Sequence, residues 1–385
     1  MSPNSTAAAA LWRPLLPVFL ACLAFGIQAG ASMPLVPLAL ERQGIDNLSI
    51  GIVGAAWGLG MIATASRIPA LAARLGTVPL ICASLAVSAA LSLAFAFTSD
   101  VVLWFFLSLL QGVVGGVPWV VSEIWINVMV DERRRGRAVA VYSTLVALGL
   151  AIGPLLLQVF GVYGPRPFLA VAALTLLVAL PLLPSWKSAP SIAPEAGGGY
   201  GEVLRMAPVA MLAAFACGLG EQAAFSFLPV YAVAAGVSAE TGALWLSAFV
   251  IGNLALQWPI GWAADHLDRR AVLAACALAS AVLAALLPAL EVQSNAILGV
   301  LLLWGGISFG IYTVGLAVLG QRFNGGDIAR ANAAFTIVYM VGGLVGRPVT
   351  GEAMDLFGEA GFGPSIAFFY LVAGVGALLA LRRRG

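Results

Sequence analysis

Twelve apolar runs divide this chain, cut at prolines, glycines and charges, and each approaches the about 20 residues an α-helix needs to cross a hydrocarbon core. A water-soluble core has no room for so many, whereas in lipid every backbone polar group must be satisfied within its own segment, so runs of this length are read as helices. Composition agrees. Of 385 residues 61% are hydrophobic and only 9% charged, against about 25% charged in ordinary globular domains, and the mean hydropathy is +1.01. The expectation is an all-α polytopic membrane protein with twelve transmembrane helices at 15–40, 48–70, 77–98, 101–129, 138–162, 167–184, 206–235, 241–262, 271–290, 294–320, 331–354 and 363–381. The run from Leu15 is longer than the apolar core of a signal peptide and is read as a retained first helix.

The few cations set the topology. With the N-terminus inside, the inner segments hold Arg13, Arg74, Arg133, Arg134, Arg135, Arg137, Lys187, Arg205, Arg269, Arg270, Arg322, Arg330 and Arg382 to Arg384, and the outer loops only Arg42 and Arg166. Cytoplasmic loops collect Lys and Arg, so both termini are expected in the cytoplasm of a multi-pass protein of the cytoplasmic (inner) membrane. Between the sixth and seventh runs, residues 185–201 turn rich in Ser, Pro, Ala and Gly, the composition of a linker. Laying the second half over the first puts Arg330 on Arg137, Gly342 on Gly149, Gly346 on Gly153, Gly305 on Gly112, Phe335 on Tyr142 and Glu221 on Gln28. Matches at one common shift indicate a tandem repeat. The expected domains are a six-helix bundle over 1–186, a cytoplasmic linker over 187–204 and a second six-helix bundle over 205–385.

Several chemistries are missing from the sequence. A net charge of +2 gives no basic field for nucleic acid, so membrane lipids are the expected surroundings. Cys22, Cys82, Cys217 and Cys276 lie in separate apolar runs without CxxC spacing, and His266 is the only histidine, which leaves no metal site and no cofactor site in view. No GxxxxGK[ST] loop is present for ATP, and no catalytic constellation marks an enzyme. Charges inside the runs are therefore conspicuous, because an ionised side chain in hydrocarbon costs several kcal/mol and demands a partner, a wet cavity or a role. Glu221 lies about fifteen residues beyond the start of its helix, near the midplane at ~1.5 Å per residue, and Arg347 lies at similar depth on another helix. The two are expected to face one cavity, with Glu221 taking a proton and Arg347 holding that charge or an anionic part of a substrate. The bland alternative is a permanent ion pair. Glu123, in the cytoplasmic third of the fourth helix, is either a latch for a loop arginine or a further proton site.

Residues 261–270 read GWAADHLDRR, a charged island between two apolar runs. The pattern G-x-x-A-D-x-x-x-R-R in that setting resembles the signature loop of the major facilitator superfamily of secondary transporters. Its twin at 69–78, PALAARLGTV, keeps Arg74 and Gly76 but has Ala73 where the second copy has Asp265. Gln111-Gly112 is similar to the family's R-x-x-Q-G element with Ser108 in place of the arginine, and GLAIGP at 149–154 resembles a shortened Gly-Pro motif of drug-proton antiporters. The resemblance implies alternating access by rocking of two bundles about a midplane cavity. It implies gating by Arg74, Gly261, Asp265, Arg269 and Arg270, and a cavity built from the first helix of each three-helix unit and its neighbours. The substrate-binding candidates on those helices are Gln28, Trp57, Trp119, Gln222, Asn253, Gln257, Trp304, Tyr312 and Tyr339. The implied activity is proton-coupled export of a small organic molecule by a monomer. The alternatives are an uncoupled facilitator, a proton-coupled importer of a sugar-like or organic-acid metabolite, and a non-transporting receptor or scaffold on a transporter fold.

Overall fold

Polar residues at the joints between apolar runs start the helices. Asp46 accepts from the Ser49 amide at 2.8 Å, Asp100 from Leu103 at 2.7 Å, Ser238 from Thr241 at 3.2 Å, and Asp268 from Arg270 and Ala271 at 2.8 and 3.2 Å. Each takes up amides that a helix N-terminus leaves without an intrahelical partner. At the opposite kind of joint, Gly44 (φ 74°) and Gly236 (φ 86°) hold the left-handed conformation that ends one helix and frees the chain to reverse.

The computed structural model describes residues 15–130, 132–187, 201–291, 294, 296–323 and 326–382, and among these there is no strand. The first half contributes α1 (Leu16–Arg42), α2 (Asn47–Ala65), α3 (Ile68–Leu75), α4 (Thr77–Ala96), α5 (Val101–Met129), α6 (Glu132–Phe160) and α7 (Pro165–Ala179), which runs on as a 3-10 turn to Lys187. After the short α8 (Gly201–Met206), the second half contributes α9 (Pro208–Ala234), α10 (Ala239–His266), α11 (Arg269–Leu286), α12 (Ala296–Gly320), α13 (Gly326–Phe357) and α14 (Phe362–Arg382). Among the described residues eleven stretches are long and apolar enough to cross a membrane, and the last of them, Arg330–Arg382, takes in most of α13 and all of α14 around a 3-10 turn at Gly358–Gly361.

Several boundaries differ from the sequence reading, and two of them bear on the loops. The second helix stops at Ala65 rather than near 70, and Ile68–Leu75 forms a separate amphipathic helix, so the degraded twin loop is itself mostly helical. The eighth run does not stop at 262, because α10 continues through Gly261 to His266 and the turn shrinks to Leu267 and Asp268. Of the expected linker, 188–200 lie outside the described residues.

Glycines let the helices touch backbone to backbone, and they do so in matching places in the two halves. Gly149 and Gly153 of α6 pack on Gly26 and Gly30 of α1, while Gly342 and Gly346 of α13 pack on Phe215 and Leu219 of α9. Gly112 meets the Trp57 carbonyl, and Gly305 meets that of Phe249. Without a hydrophobic force between helices in lipid, close van der Waals approach of this kind is what holds them. Short connections make successive long helices antiparallel. All their ends therefore gather at two levels: a terminal end, with Leu16 and Arg382, and a far end, with Asn47, Phe160, Ala239 and Phe357.

Candidate functional site

Helices α1, α2, α5, α6, α9, α10, α12 and α13 surround a central cavity of about 250 Å³. Glu221 and Arg347 both line it, and both side chains are almost wholly buried, at 1% and 3% exposure. They do not pair. Tyr339 donates its hydroxyl to Glu221 Oε2 at 2.7 Å and Cys217 donates its thiol to Oε1 at 2.9 Å. Gln222 donates Nε2 to the Tyr339 oxygen at 3.2 Å and accepts from Arg347 Nη2 at 2.5 Å. A continuous hydrogen-bonded chain thus runs Glu221–Tyr339–Gln222–Arg347, with two neutral side chains between the two charges.

Arg347 reaches further. Its Nε donates to Ser226 Oγ at 3.0 Å, and its Nη1 donates to the Gly54 carbonyl at 2.9 Å, in the other half of the chain. The guanidinium also faces the Trp57 ring, 6.0 Å from its centroid. Among the described residues no carboxylate lies within ion-pair range of it, the one such pair being Asp265 with Arg269 at 3.8 Å. The guanidinium is thus a buried cation whose hydrogen bonds all go to neutral groups.

Most of the sequence-expected substrate residues share the cavity: Trp57, Trp119, Gln222, Asn253, Gln257, Tyr312 and Tyr339 line it. Trp119 stands edge-on to Phe25, and Tyr312 edge-on to Tyr339. Gln257 accepts from Thr313 at 2.9 Å, while the buried Asn253 Oδ1 has no partner. Two expectations fail to join them. Gln28 is turned away into a smaller adjoining cavity, where it donates to Ser32. Trp304 is fully buried against Phe249 and Phe362, because its helix turns that face to the apolar core and not to the cavity. Glu123 is exposed on α5, one turn from Trp119, and Arg67 and Arg74 are exposed as well, without an ion pair among them.

The two halves meet at the far end through contacts that sequence reading did not foresee. Asp355 of α13 accepts from the Asn47 amide at 2.9 Å, from Asn47 Nδ2 at 2.8 Å and from the Leu48 amide at 2.8 Å, so an acid of one half caps a helix of the other. Gly51 lies so near α13 that a Cβ there would meet the Arg347 carbonyl oxygen at 2.6 Å, and one at Gly351 would collide with the Asn47 carbonyl. Beside this seam, Ser247 donates to the Ala151 carbonyl at 3.1 Å and Gln158 to the Glu240 carbonyl. The signal for Asp355 was weak: one acid among several near a helix end.

At the terminal end the 261–270 loop bonds to backbone carbonyls of the second half. Arg269 donates to the Ala264 and Ala317 carbonyls at 3.2 and 3.0 Å, and Arg270, buried, donates to the Ala380 carbonyl at 3.0 Å. Cations on the last carbonyls of helices offset their dipoles and tie α11 to α12 and α14. A Cβ at Gly261 would meet nothing within 4 Å, so no close approach requires glycine there in this conformation. His266 stacks on Trp262.

Eight helices surround a central, largely apolar cavity into which a few buried polar and charged side chains converge. The sequence profile described as Major Facilitator Superfamily matches residues 18–243 and 210–384, and the chain belongs to that family. It is a multi-pass transporter of small molecules, not an enzyme. It is 24% identical over 345 residues to the uncharacterized MFS-type transporter YfkF of Bacillus subtilis (strain 168), covering 87% of each chain. It is 25% identical over 389 residues to the uncharacterized MFS-type transporter Ent638_1421 of Enterobacter sp. (strain 638), covering 97% of this chain and 96% of that one. Among solved structures, a variant of the nucleoside transporter NupG superposes with a TM-score of 0.82 at 13% identity, over 95% of this chain and 99% of the other. A bacterial homolog to the human lysosomal transporter Spinster, in an inward-facing and unoccupied conformation, gives 0.75 at 14% identity over 96% of both. At such identities the likeness concerns the fold.

Proposed function

We propose that the chain is a twelve-span secondary transporter of the cytoplasmic membrane, with both termini inside, that exports a small organic anion against protons by rocking 1–186 against 205–385. The observation that carries this reading is the hydrogen-bonded chain from Glu221 to Arg347, because it ends on Gly54 of the opposite half. With the termini cytoplasmic, the tied far end is the outer one and the structure faces inward. Arg347 binds the anionic group of the substrate, and Glu221 carries the proton.

The coupling follows from the donors and acceptors. An ionised Glu221 draws the Tyr339 hydroxyl, which leaves the Tyr339 oxygen to accept from Gln222, whose carbonyl then faces Arg347. A protonated Glu221 has its own O–H to place, and the whole chain of orientations is no longer favoured. An anion on Arg347 competes with both Gln222 and Gly54 for the same guanidinium donors. Substrate and proton thus act on one pin between the halves, which meets the requirement that a ligand shift a conformational equilibrium only through a differential interaction. Export is the direction that the Gly-Pro resemblance of 149–154 supports.

The test is transport in proteoliposomes with an imposed pH gradient. Glu221→Gln should abolish gradient-driven accumulation while leaving downhill exchange, and Arg347→Gln should abolish both. Accumulation that survives Glu221→Gln refutes the coupling role and leaves a facilitator.

A further inference from the structure

The lining of the central cavity is mostly apolar, and its apolar part is of one kind. Eight of its 24 residues are aromatic, a third, against 9% of the whole chain. Both halves supply them, Phe25, Trp57 and Trp119 from the first and Phe309, Tyr312 and Tyr339 from the second. The rings are set at angles that offer edges as well as faces: Trp119 meets Phe25 at 72°, and Tyr312 meets Tyr339 at 81°. Rings attract rings edge-to-face or offset-stacked through their quadrupoles, a preference that saturated hydrocarbon does not share. The size fits as well. An apolar cavity of about 150 Å³ admits benzene, so one of about 250 Å³ takes a ring together with a short acidic arm.

Arg347 has donors to spare in this cavity. Among the described residues its Nε is committed to Ser226, one N–H of Nη1 to the Gly54 carbonyl and one N–H of Nη2 to Gln222. One N–H remains on each terminal nitrogen, and two is the number that a carboxylate engages when it binds a guanidinium bidentately. Room beside the guanidinium comes from Gly58. This buried glycine lines the cavity, and a Cβ placed on it would meet only Arg347 Nη1, at 3.9 Å. A long side chain at that position would occupy the space next to the charge, and glycine leaves it open.

We propose that the cavity selects aromatic carboxylates, with a planar ring seated among Trp57, Trp119 and Tyr312 and its carboxylate on Arg347 in the space that Gly58 leaves. This rests on the anion-binding reading of Arg347 and adds the class of substrate and the residue that keeps the seat open. Trp57, whose ring centroid lies 6.0 Å from the guanidinium carbon, stands at the joint between ring and carboxylate.

The experiment measures binding of radiolabelled phenylacetate to the purified full-length protein and its displacement by cyclohexylacetate and by phenylacetamide, with thermal unfolding as the control for folding. Cyclohexylacetate keeps the charge and loses the aromatic ring, whereas phenylacetamide keeps the ring and loses the charge. The wild type should bind phenylacetate about tenfold more tightly than cyclohexylacetate, the scale of one well-placed aromatic pair, and about tenfold or more above phenylacetamide. Trp119→Leu should cut the preference for the aromatic acid to about threefold. Gly58→Leu should weaken both acids by about tenfold or more, because it fills the place of their common carboxylate. The comparison of the three compounds on the wild type needs no variant and stands if either substitution prevents folding. Equal affinity for the two acids, both tighter than the amide, overturns the aromatic class and leaves the anion reading standing. Equal affinity for phenylacetate and phenylacetamide overturns the anion reading and the proposal with it. An undiminished preference in Trp119→Leu, or no binding of any of the three compounds, overturns the aromatic seat.

Discussion

The two ends of the molecule use charge in opposite ways. At the terminal end, the conspicuous island 261–270 directs its arginines to carbonyls of its own half, and Asp265 meets Arg269 in an exposed contact at 3.8 Å. At the far end, in a stretch with nothing arresting in its sequence, Asp355 takes three donors from Asn47 and Leu48 across the seam, and glycines bring the two backbones into contact. The visible motif organises one half, and the inconspicuous seam joins the halves. A family signature therefore marks where a transporter is built to latch in some state, and it does not say which latch is engaged in the state at hand.

That contrast can be broken at the seam first. Gly351→Val puts a branched side chain against the Asn47 carbonyl, and overpacking of this kind typically costs 1–3 kcal/mol. We expect the far end to spring open, read as a longer distance between spin labels at Gln43 and Phe357, with transport lost. An unchanged distance would mean that glycine contact does not hold the seam. Asp355→Ala comes next. It removes three donors' shared acceptor at a helix N-terminus, worth about 1–2 kcal/mol, and should raise the population open at the far end by roughly tenfold, as read by labelling of a cysteine placed at Ser49.

Asp46→Ala sharpens the same comparison locally. The Ser49 amide and hydroxyl hold the Asp46 carboxyl below its ordinary range, so its contribution is present above the usual carboxylate pKa and is lost as the pH falls through the lowered value. Loss of this cap should cost about 1 kcal/mol of α2 stability, seen as a lower unfolding temperature at neutral pH and no difference from wild type in strong acid. The smallest effect is expected from Asp265→Ala. Its one partner is a half-exposed arginine, and such surface pairs contribute at most about 0.5–1 kcal/mol. The spin-label distance should not move, and a shift as large as that of Asp355→Ala would show that the loop acts across the halves after all.

Helix positions were legible because partition into hydrocarbon is decided run by run. The caps at Asp46, Asp100, Ser238 and Asp268 sit at the joints between runs. Glu221 and Arg347 were legible for the same reason: a charge in an apolar run stands out without knowledge of its neighbours. Their arrangement was not. Direct pairing was the simplest expectation, yet Tyr339 and Gln222 stand between them, and which atoms meet depends on the rotation of α9 and α13 about their axes. Trp304 shows the same limit, since a residue on a cavity-lining helix faces the cavity or the core according to a rotation that apolar composition leaves free. Gln111 was noticed as part of a motif, while the hydrogen bond from its nitrogen to Ser88 depends on how α4 and α5 face each other.

By itself, then, the sequence determined that this chain lives in a membrane, where its helices run, and which few charges must be accommodated, because the cost of exposing polar backbone and charge to lipid adds up locally along the chain. Only the tertiary structure decided which end is tied, that Arg347 reaches Gly54, and that Asp355 caps a helix 308 residues away. Those are bonds between single atoms on different helices, and their partners are selected by helix rotation and glycine-close packing, not by hydrophobicity.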